Sequence, residues 1–295
     1  MASPKEIKGR ILSVGNTMKI TRTMELVATA KAKKATDRVN AAKPYAMKIK
    51  ELITSLAANA GNIDHPLLRS EESPQKAALL VITSNRGLCG GFNNNVIKLA
   101  FKAIDKYKTD GQSVETQLVG KKAISTFDFN GYEYGNAITT IDDKPTIEEA
   151  VEIAEKYIKA YSNGELDKIE IVYTRYMSAG KQLAVKETLL PLSLEETNNA
   201  DPSVTSSTGS GSTLFEPDAN SILQSLLPKS VRVAIYQALL DSASSEQIAR
   251  RIAMKNATDA AEDIVKELKL TYNRARQSKI TQEIAEIIGG AAAVE

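Results

Sequence analysis

The sequence predicts an α/β protein whose two ends form a long antiparallel coiled coil and whose middle forms a small open sheet. Three observations carry this expectation. From Val231 to Ile288 the chain holds neither Pro nor Gly. The N-terminal stretch carries an apolar seam with a period of 3.5. Between them, from about Pro74 to Leu194, short apolar runs alternate with helical patterns.

An unbroken helix over the C-terminal stretch would extend roughly 90 Å at 1.5 Å per residue, far beyond the width of a compact domain. It ends on the apolar run Ile287-Ile288-Gly289-Gly290-Ala291-Ala292-Ala293-Val294. The N-terminal seam steps by alternating fours and threes through Ile7, Ile11, Val14, Met18, Thr21, Glu25, Ala28, Ala32, Ala35, Val39, Ala42, Ala46, Ile49, Ile53, Leu56 and Ala60. Only Thr21 and Glu25 interrupt it, and the many alanines let two helix backbones approach closely. Pro44 removes a backbone donor and is expected to kink or loosen this helix. The C-terminal seam reads less regularly, through Ile248, Ile252, Ala257, Ala261, Ile264, Leu268, Tyr272, Ala275, Ile280, Ile284 and Ile287, with slips of five that imply uneven winding. Two such helices at opposite ends of one chain pair most simply with each other. The alternative is two separate amphipathic helices lying on a globular core.

In the middle block, Ala77-Ala78-Leu79-Leu80-Val81-Ile82-Thr83 is a continuous apolar run, as in a strand buried on both faces. Further strands are expected at 114–119, 168–176 and 185–190, and helices at 94–108 and 146–161. Thr146 and Glu149 open the second helix as a capping box. Alternating strands and helices give a Rossmann-like open sheet. The resulting domain plan is an N-terminal coiled-coil helix over 1–60 and an α/β domain over 74–196. A Ser/Thr/Gly-rich flexible linker over 197–213 then leads to a foot segment and the C-terminal helix over 214–295.

Composition excludes several functions. Of 295 residues, one is Cys and one is His, which leaves no internal disulfide and no Cys/His zinc site or nucleophilic pair. His65, before Pro66, reads as a turn residue. No stretch is apolar for long enough to span a bilayer, and no signal or transit peptide precedes the first seam, so a soluble protein retained where it is made is expected. Net charge is only +2, but the first fifty residues carry twelve bases against Glu6, Glu25 and Asp37. Such an arm attracts acidic surfaces; with Tyr45 as its only aromatic it offers almost no base stacking, so nucleic acid is not expected. The turn Ser84-Asn85-Arg86-Gly87-Leu88-Cys89-Gly90-Gly91-Phe92-Asn93 sits where nucleotide sites occur, yet it matches neither GxGxxG nor GxxxxGK[ST]. A structural turn is the better account, and no catalytic residue, metal site or cofactor is expected.

Three segments resemble a known family. They are Ile7-Lys8-Gly9-Arg10-Ile11 through Thr17-Met18-Lys19-Ile20-Thr21-Arg22-Thr23-Met24-Glu25-Leu26-Val27-Ala28; then Asn85-Arg86-Gly87-Leu88-Cys89-Gly90-Gly91-Phe92-Asn93; and Tyr272-Asn273-Arg274-Ala275-Arg276-Gln277-Ser278-Lys279-Ile280-Thr281-Gln282-Glu283-Ile284. They look like the signature segments of the gamma subunits of F-type ATP synthases, in that family's order and spacing, and the likeness runs over essentially the whole chain.

The resemblance implies a central rotary shaft. The paired terminal helices would turn inside a ring of alternating alpha and beta subunits, and the α/β domain would sit with epsilon on the membrane rotor c-ring. Rotation would drive the catalytic beta subunits through states of different nucleotide affinity. Carried over by position, Arg276, Gln277, Thr281 and Glu283 would form the catch contacts with beta, and Met24 would lie near beta's acidic lever. Lys31, Lys33, Lys34 and Arg38 would be that lever's electrostatic partners. Ile287, Ile288, Ala291, Ala292, Ala293 and Val294 would form an apolar tip, and Phe215 and Glu216 the foot facing the rotor ring.

Departures from the family are informative. Asn85 stands where the family usually has Asp, and Thr213 replaces a common aromatic ahead of the foot. An insertion bearing a regulatory Cys pair is absent, so thiol control is not expected. Without a transit peptide, a bacterial subunit peripheral to the cytoplasmic face of the plasma membrane is expected. The competing classes are a nucleotide-dependent enzyme with helical arms, and a coiled-coil scaffold or basic nucleic-acid-binding protein.

Overall fold

The computed structural model describes residues 3–59, 65–71, 73–192 and 219–292. They divide into two compact units: the described residues up to Ala30 with those from Arg250 onward, and Lys31–Ala249.

The larger unit is built on a five-stranded sheet of order β3-β2-β1-β4-β5, where β1 is Lys76–Ile82, β2 Ser113–Val119, β3 Asn136–Ile138, β4 Lys168–Ser178 and β5 Lys181–Leu190. β1 pairs in parallel with β2 and β4, β2 in parallel with β3, and β4 antiparallel with β5. As the continuous apolar run requires, β1 is buried on both faces from Ala77 on. Alternate side chains go to opposite layers. Leu79 and Val81 pack with Val96, Ile97 and Ala100 of α2 (Phe92–Thr109) and Ala123 and Phe127 of α3 (Lys121–Asn130). Ala78, Leu80 and Ile82 face α4 (Ile147–Ser162), joined there by Ile49, Ile53 and Leu56 of α1 (Pro4–Asn59) and by Leu223, Leu227, Val231 and Ile235 of α5 (Ala219–Ala292). Full burial of one such Leu contributes about 1.5–3 kcal/mol.

Thr146 and Glu149 form the expected capping box: Thr146 Oγ1 accepts from the Glu149 N–H at 3.3 Å, and Glu149 Oε2 from the Thr146 N–H at 2.8 Å. His65 is the turn residue expected, its Nδ1 accepting from the Leu67 N–H at 3.1 Å. Two elements escape the sequence pattern, α3 and the three-residue β3.

In α1 every described position of the expected seam is buried or half-buried. The helix runs through Pro44 without a break. Pro44 and Asn40, whose carbonyl loses its partner, both lie on the exposed face, where water can satisfy that carbonyl. α5 begins at Ala219 rather than Val231 and likewise passes through Pro228.

The C-terminal seam requires correction. Ile248 is buried as expected, but from Met254 on the regular alternation of fours and threes runs through Met254, Thr258, Ala261, Val265, Leu268, Tyr272 and Ala275, while Ile252, Ile264, Ile280, Ile284 and Ile287 are more than two-fifths exposed. The expected slips arose from choosing apolar residues over a polar one. Thr258 fits the seam because its hydroxyl is hydrogen-bonded, to the Met254 carbonyl or to Thr21, each at 2.8 Å. Within the larger unit the helices are antiparallel: Lys31 and Gln247 bond the same carboxylate, and five residues further along α1, Thr36 meets Ser244 at 3.0 Å.

Candidate functional site

In an open parallel sheet, ligands bind beyond the carboxyl ends of the strands where the strand order reverses. Here that point lies beside β1, at the turn 83–91. The turn is held by its own side chains. The Ser84 N–H donates to Asn93 Oδ1 at 3.0 Å, and Asn93 Nδ2 donates to Ser84 Oγ at 2.9 Å and to Cys89 Sγ at 3.1 Å. Ser84 Oγ donates to the Arg86 carbonyl at 2.6 Å. Cys89 is thus a buried structural thiol. The remaining cavity, lined by Thr83, Ser84, Phe92, Val119 and Ile141 and closed by Leu239, Ser242 and Glu246 of α5, amounts to about 30 Å³. That volume admits water, not a nucleotide.

Asn85 uses both ends of its side-chain amide. Its Nδ2 donates to the carbonyls of Thr139 at 3.1 Å and Ile141 at 2.8 Å, while its Oδ1 accepts from the Lys121 N–H at 3.1 Å. A carboxylate can only accept, and it would face two carbonyl oxygens.

Among the described residues no group of acids, Cys and His is arranged to hold a metal. The most buried carboxylate among the described residues, Glu170, lies within the sheet. Burial acts to raise its affinity for protons, but hydrogen bonds from Lys186 at 2.7 Å and Lys168 at 2.9 Å outweigh this and hold its carboxyl below the usual range. That arrangement is a structural ion cluster, one carboxylate held between two ammonium groups. No described helix is long and apolar enough to cross a membrane.

The residues singled out from the sequence fall into three groups. Arg276, Gln277, Thr281 and Glu283 are all exposed on α5, where every residue from 276 to 288 is exposed. Thr281 Oγ1 donates to the Gln277 carbonyl at 3.0 Å, and Lys279 lies 3.6 Å from Glu283. Ile287 and Ile288 are 72% and 64% exposed. α5 includes Ala291 and Ala292, while Ala293, Val294, Phe215 and Glu216 lie outside the described residues. On α1, Lys33 and Lys34 are exposed, Met24 and Arg38 half-buried, and the Lys31 ammonium is paired with Asp143. Asp143 was not singled out: nothing in the sequence signals a partner 112 residues away.

The comparisons with known proteins agree with one another. The family model described as ATP synthase matches residues 3–294. The ATP synthase gamma chain of Leptospira biflexa is 48% identical over 294 residues, covering all of both chains. One chain of the Euglena gracilis mitochondrial ATP synthase in rotational state 3 superposes with a TM-score of 0.67 at 18% identity, covering 99% of this chain and 94% of that one. One from the central stalk and c-ring structure of the Tetrahymena thermophila mitochondrial ATP synthase gives 0.58 at 23% identity, covering 81% and 99%. The superpositions speak for the fold, and the full-length identity speaks for descent. By that identity and the family match, the chain belongs to the gamma-chain family of ATP synthase.

Proposed function

We infer that this chain is the central rotor shaft of an ATP synthase, a non-catalytic subunit that couples ion flow through the membrane rotor to the catalytic beta subunits. The observation that carries the reading is family membership along the full length, joined to a helix end on which every residue from 276 to 288 is exposed. Its partners are the alpha and beta subunits, epsilon and the c-ring, and it needs no cofactor of its own. A shaft drives a beta site only by the difference in its contact free energy between that site's states. Arg276 and Gln277 suit a hydrogen-bonding catch on an acidic beta loop, with Thr281 and Glu283 beside them. Met24, Lys33, Lys34 and Arg38 suit beta's acidic lever; Lys31 serves it less freely because Asp143 already accepts from its ammonium. Ile287, Ile288, Ala291, Ala292, Ala293 and Val294 form the apolar bearing tip. The α/β domain over 74–196 is the base, and the linker over 197–213 leads to Phe215 and Glu216 facing the rotor ring. The complex is membrane-bound; we place this subunit peripherally, on the cytoplasmic side of a bacterial plasma membrane.

The test compares Arg276→Ala with removal of residues 287–295 in reconstituted complexes of equal assembly. Arg276→Ala abandons a charged partner, at a cost of about 1.5–3 kcal/mol, whereas truncation removes mainly apolar contact, with Glu295 its one charged side chain. Rotation-coupled hydrolysis and synthesis should therefore fall further with the point substitution. Normal turnover in Arg276→Ala beside an inactive truncation would remove the catch from Arg276.

A further inference from the structure

We propose that Asp143 is a positioning residue of the rotary mechanism, the fixing by which the α/β sheet grips both long helices. The proposal rests on the shaft reading above. Apolar packing carries no directional bond, so a charged contact adds a lateral fixing to helices that must turn with a domain.

Asp143 is placed for that purpose. Its Oδ1 accepts from Nε2 of Gln247 on α5 at 3.0 Å, and its Oδ2 accepts from the Lys31 ammonium on α1. One carboxylate therefore takes one helix on each oxygen. Gln247 is 2% exposed and the Asp143 side chain 17%, while the Lys31 side chain is 40% exposed, so the Gln247 arm is the drier of the two and the Lys31 arm adds a charge-assisted bond that solvent partly screens. The loop that presents Asp143 is itself mounted on the sheet. Asn85, at the end of β1, donates to the carbonyls of Thr139 and Ile141 and accepts from the first turn of α3, and Ile141 is buried in the core. Force on either helix thus reaches β1 through a short path of hydrogen bonds. The next contacts along, Thr36 with Ser244 at 3.0 Å and the Thr174 N–H with Ser242 at 3.4 Å, are neutral and join one pair of elements each.

The experiment uses the whole reconstituted synthase carrying Asp143→Ala. Ion pumping per ATP hydrolysed should fall under an opposing ion gradient. Hydrolysis by the soluble complex without the c-ring, where the fixing carries little load, should fall less. Amide exchange at 139–143 should speed up by about tenfold, as expected on losing a charge-assisted hydrogen bond. The conservative variant Asp143→Glu keeps a carboxylate oxygen for each helix on a longer arm and should recover most of the pumping. Unchanged pumping per ATP in Asp143→Ala overturns the proposal, as does an equal loss with and without the c-ring, which would mark a general structural role. A wild-type chain that fails to couple with its alpha, beta, epsilon and ring partners would instead overturn the shaft reading, and this proposal with it.

Discussion

Thr258 donates its hydroxyl hydrogen to Thr21 Oγ1 at 2.8 Å, a polar rung in an otherwise mostly apolar seam between α5 and α1. Thr21 in turn donates to the Met18 carbonyl at 3.0 Å, and the Met254 carbonyl lies 2.8 Å from the Thr258 oxygen as an alternative acceptor. Each hydroxyl therefore keeps an acceptor in its own helix when the other is removed. Thr258→Val preserves shape and leaves no buried donor orphaned, so it should change stability by less than about 1 kcal/mol. Urea unfolding of the chain, followed by circular dichroism, measures this. A loss above about 2 kcal/mol would mean that the bond between helices, and not the helix carbonyls, satisfies these hydroxyls.

Two glycines near the strand ends should respond to very different degrees. Gly120 has φ of 95°, and a Cβ there would stand 2.4 Å from the Thr83 carbonyl oxygen, a backbone atom of the neighbouring strand end. Gly87, inside the signature turn, would place a Cβ 3.5 Å from the flexible end of Lys122, an ordinary contact. Gly120→Ala should cost more than about 3 kcal/mol through strain and displaced backbone, and Gly87→Ala less than about 1 kcal/mol. Thermal melts of the two variants decide the matter, and equal melting temperatures would refute the assignment.

That contrast also marks what the sequence could tell. The α1 seam was legible because its positions are nearly all apolar, so hydrophobic period and burial coincide. In α5 they part company at Thr258, where a hydrogen-bonded hydroxyl replaces an apolar side chain, and at Ile252 and Ile264, which are apolar and exposed. β3 was illegible for a different reason. It has three residues, none of them fully buried, and is held by register with β2 and by the Gly120 N–H donating to the Ile138 carbonyl at 2.9 Å. No local pattern encodes such a strand. Asp143 is a harder case still, because its contacts span 112 and 104 residues and depend on the finished fold. Arg276 and Gln277 lie on an exposed face that resembles any solvated helix; only the resemblance of the surrounding segment singled them out.

Asp241 supplies the pH dependence. It is 5% exposed on α5, with Oδ1 accepting from Gln237 Nε2 at 2.9 Å. Burial pushes its carboxyl up from 3.8 to about 6; the Gln237 hydrogen bond, the Tyr176 N–H and the charges of Arg175 and Lys43 only partly oppose this. A folded-state value above the unfolded one means that the folded protein holds the proton more tightly. The stabilising contribution is therefore complete below pH 4, falls as pH rises toward 6, and is lost above it. The difference amounts to at most roughly 3 kcal/mol. Asp241→Asn cannot ionise; its carbonyl keeps the acceptor for Gln237 Nε2, and its amide can serve Gln237 Oε1, a buried acceptor without a donor. The variant should therefore gain stability relative to wild type as pH rises from 4 to 6 and hold that gain to pH 8. Urea unfolding midpoints across this range test it. Parallel profiles for the two proteins would mean that Asp241 ionises in the folded chain as easily as in water.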